Sequence, residues 1–349
     1  DLIGMSYLMI CLAALLPALF YYGALFVAVS LEAGKAGIQP IPPEQRERID
    51  RKTMLDSLMF VIPIAVIIAV LVAGRSPAMA GFCAVIAVLV TALALNPDLR
   101  RNPMRILDTV VKGGAAGASI VVAVAAIGII LGTLNLTGIG LSFASTVAAL
   151  GENNLLLALL LTAATCLILG MGMPTLPAYL VIVLVMGRSL RELGIEPLAI
   201  HLFVFYFGVL SAITPPVAVA VFAAAPIANS HPVATAIAAL RLAFIGFVIP
   251  FIFVIEPSLL LVLDSFDLGQ FVIAILALSV AILALSTAFY AYDGAALAPL
   301  HCVFRGIIGL APLAALLSNR FEVEIVVGCA VLLGLSMLIR QRQRRFALG

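Results

Sequence analysis

The chain has 349 residues, of which 64% are hydrophobic and 10% charged, and its mean hydropathy is +1.26. That composition excludes a water-soluble globular protein and predicts an all-α polytopic membrane protein. The formal net charge of +2 is scattered through connecting segments except at the C-terminus, and no nucleic-acid motif is present, so a nucleic-acid partner is not expected.

Asp1 to Gly4 show no basic leader and no helix start, so the sequence is expected to begin inside a longer chain. Tyr7 to Ser30 is long enough to span a bilayer, although Pro17 falls within it. Residues 31 to 56 collect Glu32, Lys35, Glu44, Arg46, Glu47, Arg48, Asp50, Arg51 and Lys52 among three prolines. Mixed charges at that density read as a solvated loop with a short surface helix. Met59 to Ala73 and Ala78 to Leu95 are apolar runs separated by Gly74-Arg75-Ser76-Pro77, a tight turn between antiparallel helices. Past the polar connection 96–105, an amphipathic stretch leads into Gly113-Gly114-Ala115-Ala116-Gly117-Ala118-Ser119, small residues that let helices approach closely in lipid. An interruption is then expected from Gly132 to Gly140, where Asn135 and Thr137 are candidate site residues or simply mark a helix break.

Between Glu152 and Arg188 there is no Asp, Glu, Lys or Arg, yet Gly170, Gly172, Pro174, Thr175 and Pro177 break the segment in its middle. Each apolar arm is shorter than the roughly 20 residues of a spanning helix, which predicts a re-entrant hairpin over about 155–187. A second break follows in a helical run over about 199–228, where Thr214-Pro215-Pro216 interrupts it. Proline has no N–H and pushes the preceding residue out of the helical region, so carbonyls one turn earlier lose their partners. Freed carbonyls are tolerable at membrane depth where they line a polar cavity or bind something, as at the mid-membrane sites of secondary transporters.

Arg241, the only charge between Glu196 and Glu256, reads as packing or snorkelling rather than a substrate contact. His201, His231 and His301 read as satisfied histidines at segment ends. Cys11, Cys83, Cys166, Cys302 and Cys329 are isolated, without ligand spacing, and read as small core residues. Phe271 to Phe289, Leu300 to Leu317 and Ile325 to Leu338 are plain spans that read as peripheral helices. The basic run 340–345 directly after the last span predicts a cytoplasmic C-terminus.

Leu-Gly-Met-Gly-Met-Pro-Thr at 169–175, His-Leu-Phe-Val-Phe-Tyr-Phe-Gly at 201–208 and Leu-Ser-Ala-Ile-Thr-Pro-Pro-Val-Ala at 210–218 together resemble the fused permeases of TRAP transporters, the TAXI branch, over about residues 1 to 260. The resemblance implies an elevator-type transporter of the bacterial inner membrane, built of two inverted repeats that each hold a re-entrant hairpin and a discontinuous helix. It implies sodium as the coupling ion and a carboxylate solute handed over by a periplasmic solute-binding protein. Residues 1–112 then correspond to the end of the first repeat and connecting helices, 113–260 to the second repeat, and 261–349 to additional C-terminal helices. The small-membrane-subunit-like helices and the first hairpin would lie upstream.

In this frame Thr175, Ser211 and Thr214 offer hydroxyls, and carbonyls near Gly170, Gly172, Ala212 and Ile213 offer further oxygens, with Pro174 and Pro215 shaping the breaks. Gly170, Thr175 and Thr214 are the sodium candidates, because a hard cation suits oxygen ligands. The competing reading is that these clusters only kink buried helices, each threonine bonding back to its own helix. No cofactor is implied. A channel or a structural membrane subunit is the alternative function. An intramembrane enzyme is less favoured, because H-E-x-x-H is absent and Asp264, Asp267 and Asp293 lie near segment ends; no P-loop suggests an ATPase.

Overall fold

The computed structural model describes residues 3–39, 41–42, 44, 50–102, 104–137, 154–170, 175–216, 218–318 and 322–348. Among them, seven helices are long and apolar enough to cross a membrane, as an all-α polytopic protein requires. The chain divides into two compact units, one of Asp1–Cys11 with Gln39–Ala126 and one of Leu12–Ile38 with Ile127–Gly349.

In the first unit, α2 (Arg51–Val72) and α3 (Pro77–Leu95) pack side by side. Their ends are set by local chemistry. The Asp50 carboxylate accepts the Thr53 N–H at 2.7 Å, and Ser76 accepts the Met79 N–H ahead of Pro77. Gly74 turns the chain between the helices with φ +72°, which a side chain would strain. A short α4 (Pro97–Arg101) follows, then α5 (Met104–Thr137), whose first part belongs to this unit. The interruption expected from Gly132 is absent up to Thr137. Thr133 and Thr137 donate their hydroxyls to the carbonyls of Ile129 and Thr133, both at 2.7 Å, and stay within the helix. Glycine alone costs a helix only about 1 kcal/mol.

The second unit is organised around α8 (Pro197–Leu210), with nine of its 14 residues buried. Around it lie α6 (Leu155–Gly170), α7 (Thr175–Glu192) and α11 (Ile249–Ile255). Phe203 and Phe207 of α8 interlock with Phe247 and Phe251, with ring centroids 4.9 to 6.1 Å apart, mostly edge-on or tilted, as aromatic quadrupoles favour. From α1 (Tyr7–Lys35), Tyr21 packs edge-to-face on Tyr206 and lies directly on Gly246, where a Cβ would come within 2.6 Å of the ring. Next in the chain come α9 (Val219–Ile227) and α10 (Pro232–Ala243), which pack together.

The C-terminal helices α12 (Leu268–Tyr290), α13 (Pro299–Ser318) and α14 (Glu322–Leu348) pack on one another. Buried Ala274, Ala277, Ala281 and Ala284 recur at helical spacing on α12, which lets its neighbours approach. Gly309 of α13 sits so close to Leu285 that a Cβ would fall 2.6 Å from Leu285 Cγ.

Candidate functional site

The 16 residues of α6 amount to about 24 Å of helix, short of the ~30 Å apolar layer. It packs against α7 and α8, and its last turn rests on the segment where α8 ends. Gly170 closes α6 and is buried. A Cβ built there would lie 2.6 Å from Ser211 Oγ and 2.9 Å from Ser211 Cβ, so this approach is open only to glycine.

Beyond Leu210 the helix tightens into a 3₁₀ turn, Ser211–Ile213. Thr214 is extended, with φ −95° and ψ 125°, as a residue before proline must be. The Pro215–Pro216 peptide is cis, and Ala218 takes a left-handed conformation with φ 39° before α9 begins. The side chains at this break compensate for what the prolines remove. Ser211 Oγ donates to the Gly208 carbonyl at 2.6 Å, Thr214 Oγ1 donates to the Leu210 carbonyl at 2.8 Å, and the Thr214 N–H reaches the Ser211 carbonyl at 3.1 Å. Both hydroxyls therefore bond back to their own helix, which leaves oxygen lone pairs, not protons, to turn elsewhere. Pro216 has no N–H to give the Ala212 carbonyl four residues earlier.

Among the candidate residues, the structure brings Gly170 against buried Ser211 and sets Ser211, Ala212, Ile213, Thr214 and Pro215 in one irregular segment that runs from buried Ser211 out to exposed Pro215. Thr175 is half-buried and opens α7 just past the tip. Gly172 and Pro174 lie outside the described residues. Asn135 and Thr137 stand on α5, which is continuous as far as Thr137; the rest of the expected interruption, 138–140, lies outside the described residues.

Some nearby polar groups are paired within the protein, while the Tyr206 hydroxyl on α8 is buried and finds no hydrogen-bond partner among the described residues. His201 is buried, and its Nδ1 lies 2.6 Å from the Tyr179 hydroxyl of α7, a bond that ties the two helices together. Nothing in the apolar run around Tyr179 pointed to this partner; a polar aromatic inside a charge-free arm was the one available signal. The Arg241 guanidinium stands over the rings of Phe289 and Tyr290, 5.6 and 5.7 Å from their centroids, a cation–π contact. His231 accepts the Val233 N–H at 3.3 Å and caps α10.

Among the described residues the site offers no acid–base pair or nucleophile arrangement; it offers oxygens at a helix break, pressed against the end of a short apolar arm. Neither the curated proteins nor the solved structures returned a match. A family model, described as tripartite ATP-independent periplasmic transporter, DctM component, matches residues 2–268.

Proposed function

Since the chain belongs to the DctM component of the tripartite ATP-independent periplasmic transporters, it is a solute permease rather than an enzyme, and we propose that it is a TAXI-branch member driven by a sodium gradient. Its solute is an organic carboxylate delivered by a periplasmic solute-binding protein. The family in general works with such a binding protein and with a small membrane subunit; helices equivalent to that subunit are proposed to be fused upstream of this chain. The setting is the bacterial inner membrane, with the basic tail on the cytoplasmic side.

The observation that carries this reading is the seating of Gly170, at the end of α6, on Ser211 within the Thr214-Pro215-Pro216 break. The donors collected there are hydroxyl and carbonyl oxygens without a formal charge, which suits a hard monovalent cation more than a soft metal. Thr175, at the start of α7, stands on the other arm of the hairpin and is proposed to complete the oxygen set. In an elevator mechanism the arms α6 and α7 and the broken helix α8–α9 would travel as one block, held together by the Tyr179–His201 bond and the Gly170–Ser211 contact.

The test is uptake into proteoliposomes by the permease with its upstream partner helices, under an imposed sodium gradient and with loaded binding protein outside. Uptake that requires both the gradient and the binding protein supports the proposal. Ohmic current without the binding protein supports a channel instead, and solute flux indifferent to sodium removes the coupling.

A further inference from the structure

Downstream of the family match, the ends of α12, α13 and α14 hold a charged cluster. The Asp293 carboxylate, in the turn between α12 and α13, accepts from Arg305 Nη2 at 2.5 Å, and Arg340 Nε stands 3.1 Å from the same oxygen, Oδ2. Arg340 also donates from Nη2 to the Ala296 carbonyl at 3.0 Å. Arg305 is only 1% exposed, and its Nη1 is buried without a hydrogen-bond partner. Within these three side chains two guanidinium charges meet one carboxylate, so one positive charge is left over where water is scarce. Such an excess is costly unless an anion comes in to balance it.

A cavity of about 430 Å³ opens beside the cluster, lined by Arg305, Arg340, His301 and Ser336 together with apolar Leu300, Phe304 and Ile339. Leu300 and Ile339 are more than half exposed, on the surface these helices would turn to lipid. Arg305 is six residues into α13, about 9 Å from its start, and Arg340 ends the apolar stretch of α14. Arg340 thus stands at the level of phospholipid headgroups, and Arg305, inside the span of α13, reaches back toward that level to Asp293 in the turn ahead of the helix. The guanidinium fork matches phosphate oxygens in pairs, and the apolar rim matches acyl chains.

We propose that the cavity between α13 and α14 binds the phosphate of an anionic membrane phospholipid, seated on Arg305 and Arg340 with its chains along Leu300, Phe304 and Ile339. Asp293 is the counter-charge that holds the two arginines in place when the lipid is absent. This site is independent of the transport reading. It gives the C-terminal helices a role as a lipid-anchored part of the protein.

The experiment uses the full chain purified in detergent. Phosphatidylglycerol, phosphatidylcholine and inorganic phosphate are added separately; retained lipid is counted by native mass spectrometry and stability is followed by thermal unfolding. Wild type is expected to retain phosphatidylglycerol over phosphatidylcholine and to be stabilised by it. Arg340→Gln, which leaves the buried Arg305–Asp293 pair intact, is expected to weaken phosphatidylglycerol retention about fivefold, the effect of one basic residue at a membrane surface. Asp293→Asn raises the positive excess and is expected to keep or strengthen retention even as it lowers the unfolding temperature. Equal retention of the two lipids, or a folded Arg340→Gln with wild-type retention, overturns the proposal. Loss of retention in Asp293→Asn overturns it in favour of a purely structural ion pair, and stabilisation by inorganic phosphate alone to the same extent overturns the lipid as the source of the anion.

Discussion

Replacing Gly170 by alanine probes the contact on which the candidate site rests. The new methyl would stand 2.6 Å from Ser211 Oγ and 2.9 Å from Ser211 Cβ, well inside van der Waals contact, and both residues are buried. The hydroxyl cannot simply swing aside, because it is held at 2.6 Å on the Gly208 carbonyl of the preceding turn. Relief requires either a shift of the end of α6 or loss of that hydrogen bond, which leaves a buried carbonyl without its donor. Overpacking of this kind costs about 1–3 kcal/mol, and the unsatisfied carbonyl costs about as much. Gly170→Ala is therefore expected to lower the unfolding temperature by several degrees and to reduce uptake with expression preserved. The control is a cycle with Ser211→Gly, which removes both atoms in the way. Alanine at 170 should then add almost nothing to the cost of Ser211→Gly alone, a coupling of about 1–3 kcal/mol against the sum of the single changes. Strictly additive effects, or a Gly170→Ala protein with wild-type stability and uptake, would refute the close packing of α6 on the break.

Thr175→Val and Thr214→Val are each expected to raise the sodium concentration for half-maximal uptake, about tenfold for a loss of about 1.4 kcal/mol. Thr214→Val should also cost about 1 kcal/mol of stability, because its hydroxyl bonds the Leu210 carbonyl, whereas Thr214→Ser should retain both properties; unchanged sodium dependence in both valine variants would leave these residues as shapers of the break only. Tyr179→Phe removes the partner of buried His201 and is expected to destabilise by about 1–3 kcal/mol, read as a lowered unfolding temperature; an unshifted transition would mean that the hydroxyl contributes nothing net. Arg241→Ala gives up a contact with Phe289 and Tyr290 worth about 0.5–1 kcal/mol at an exposed site, and uptake should keep its apparent affinity for solute, a rise of tenfold or more marking Arg241 as a substrate ligand instead.

By itself the sequence determined that this is an all-α membrane protein of a transporter family, because length and polarity of an apolar run decide whether a helix can lie in lipid. It also determined where the backbone must break at Pro215 and Pro216, since a missing N–H and a restricted preceding residue act through covalent neighbours alone. At Gly132 glycine and threonine carry only a propensity, and the helix runs on as far as Thr137, the hydroxyls of Thr133 and Thr137 bonding back to carbonyls one turn earlier. What the breaks face was decided by tertiary structure. Gly170 and Ser211 are 41 positions apart, and nothing in either neighbourhood shows that one fits against the other until α6 and α8 are packed. The same holds for Tyr179 with His201, and for Asp293 with Arg305 and Arg340: an ionisable or hydroxyl group within an apolar span looks like a cost in sequence. Only the fold, by bringing a partner from another helix within hydrogen-bond reach, turns that cost into a specific contact.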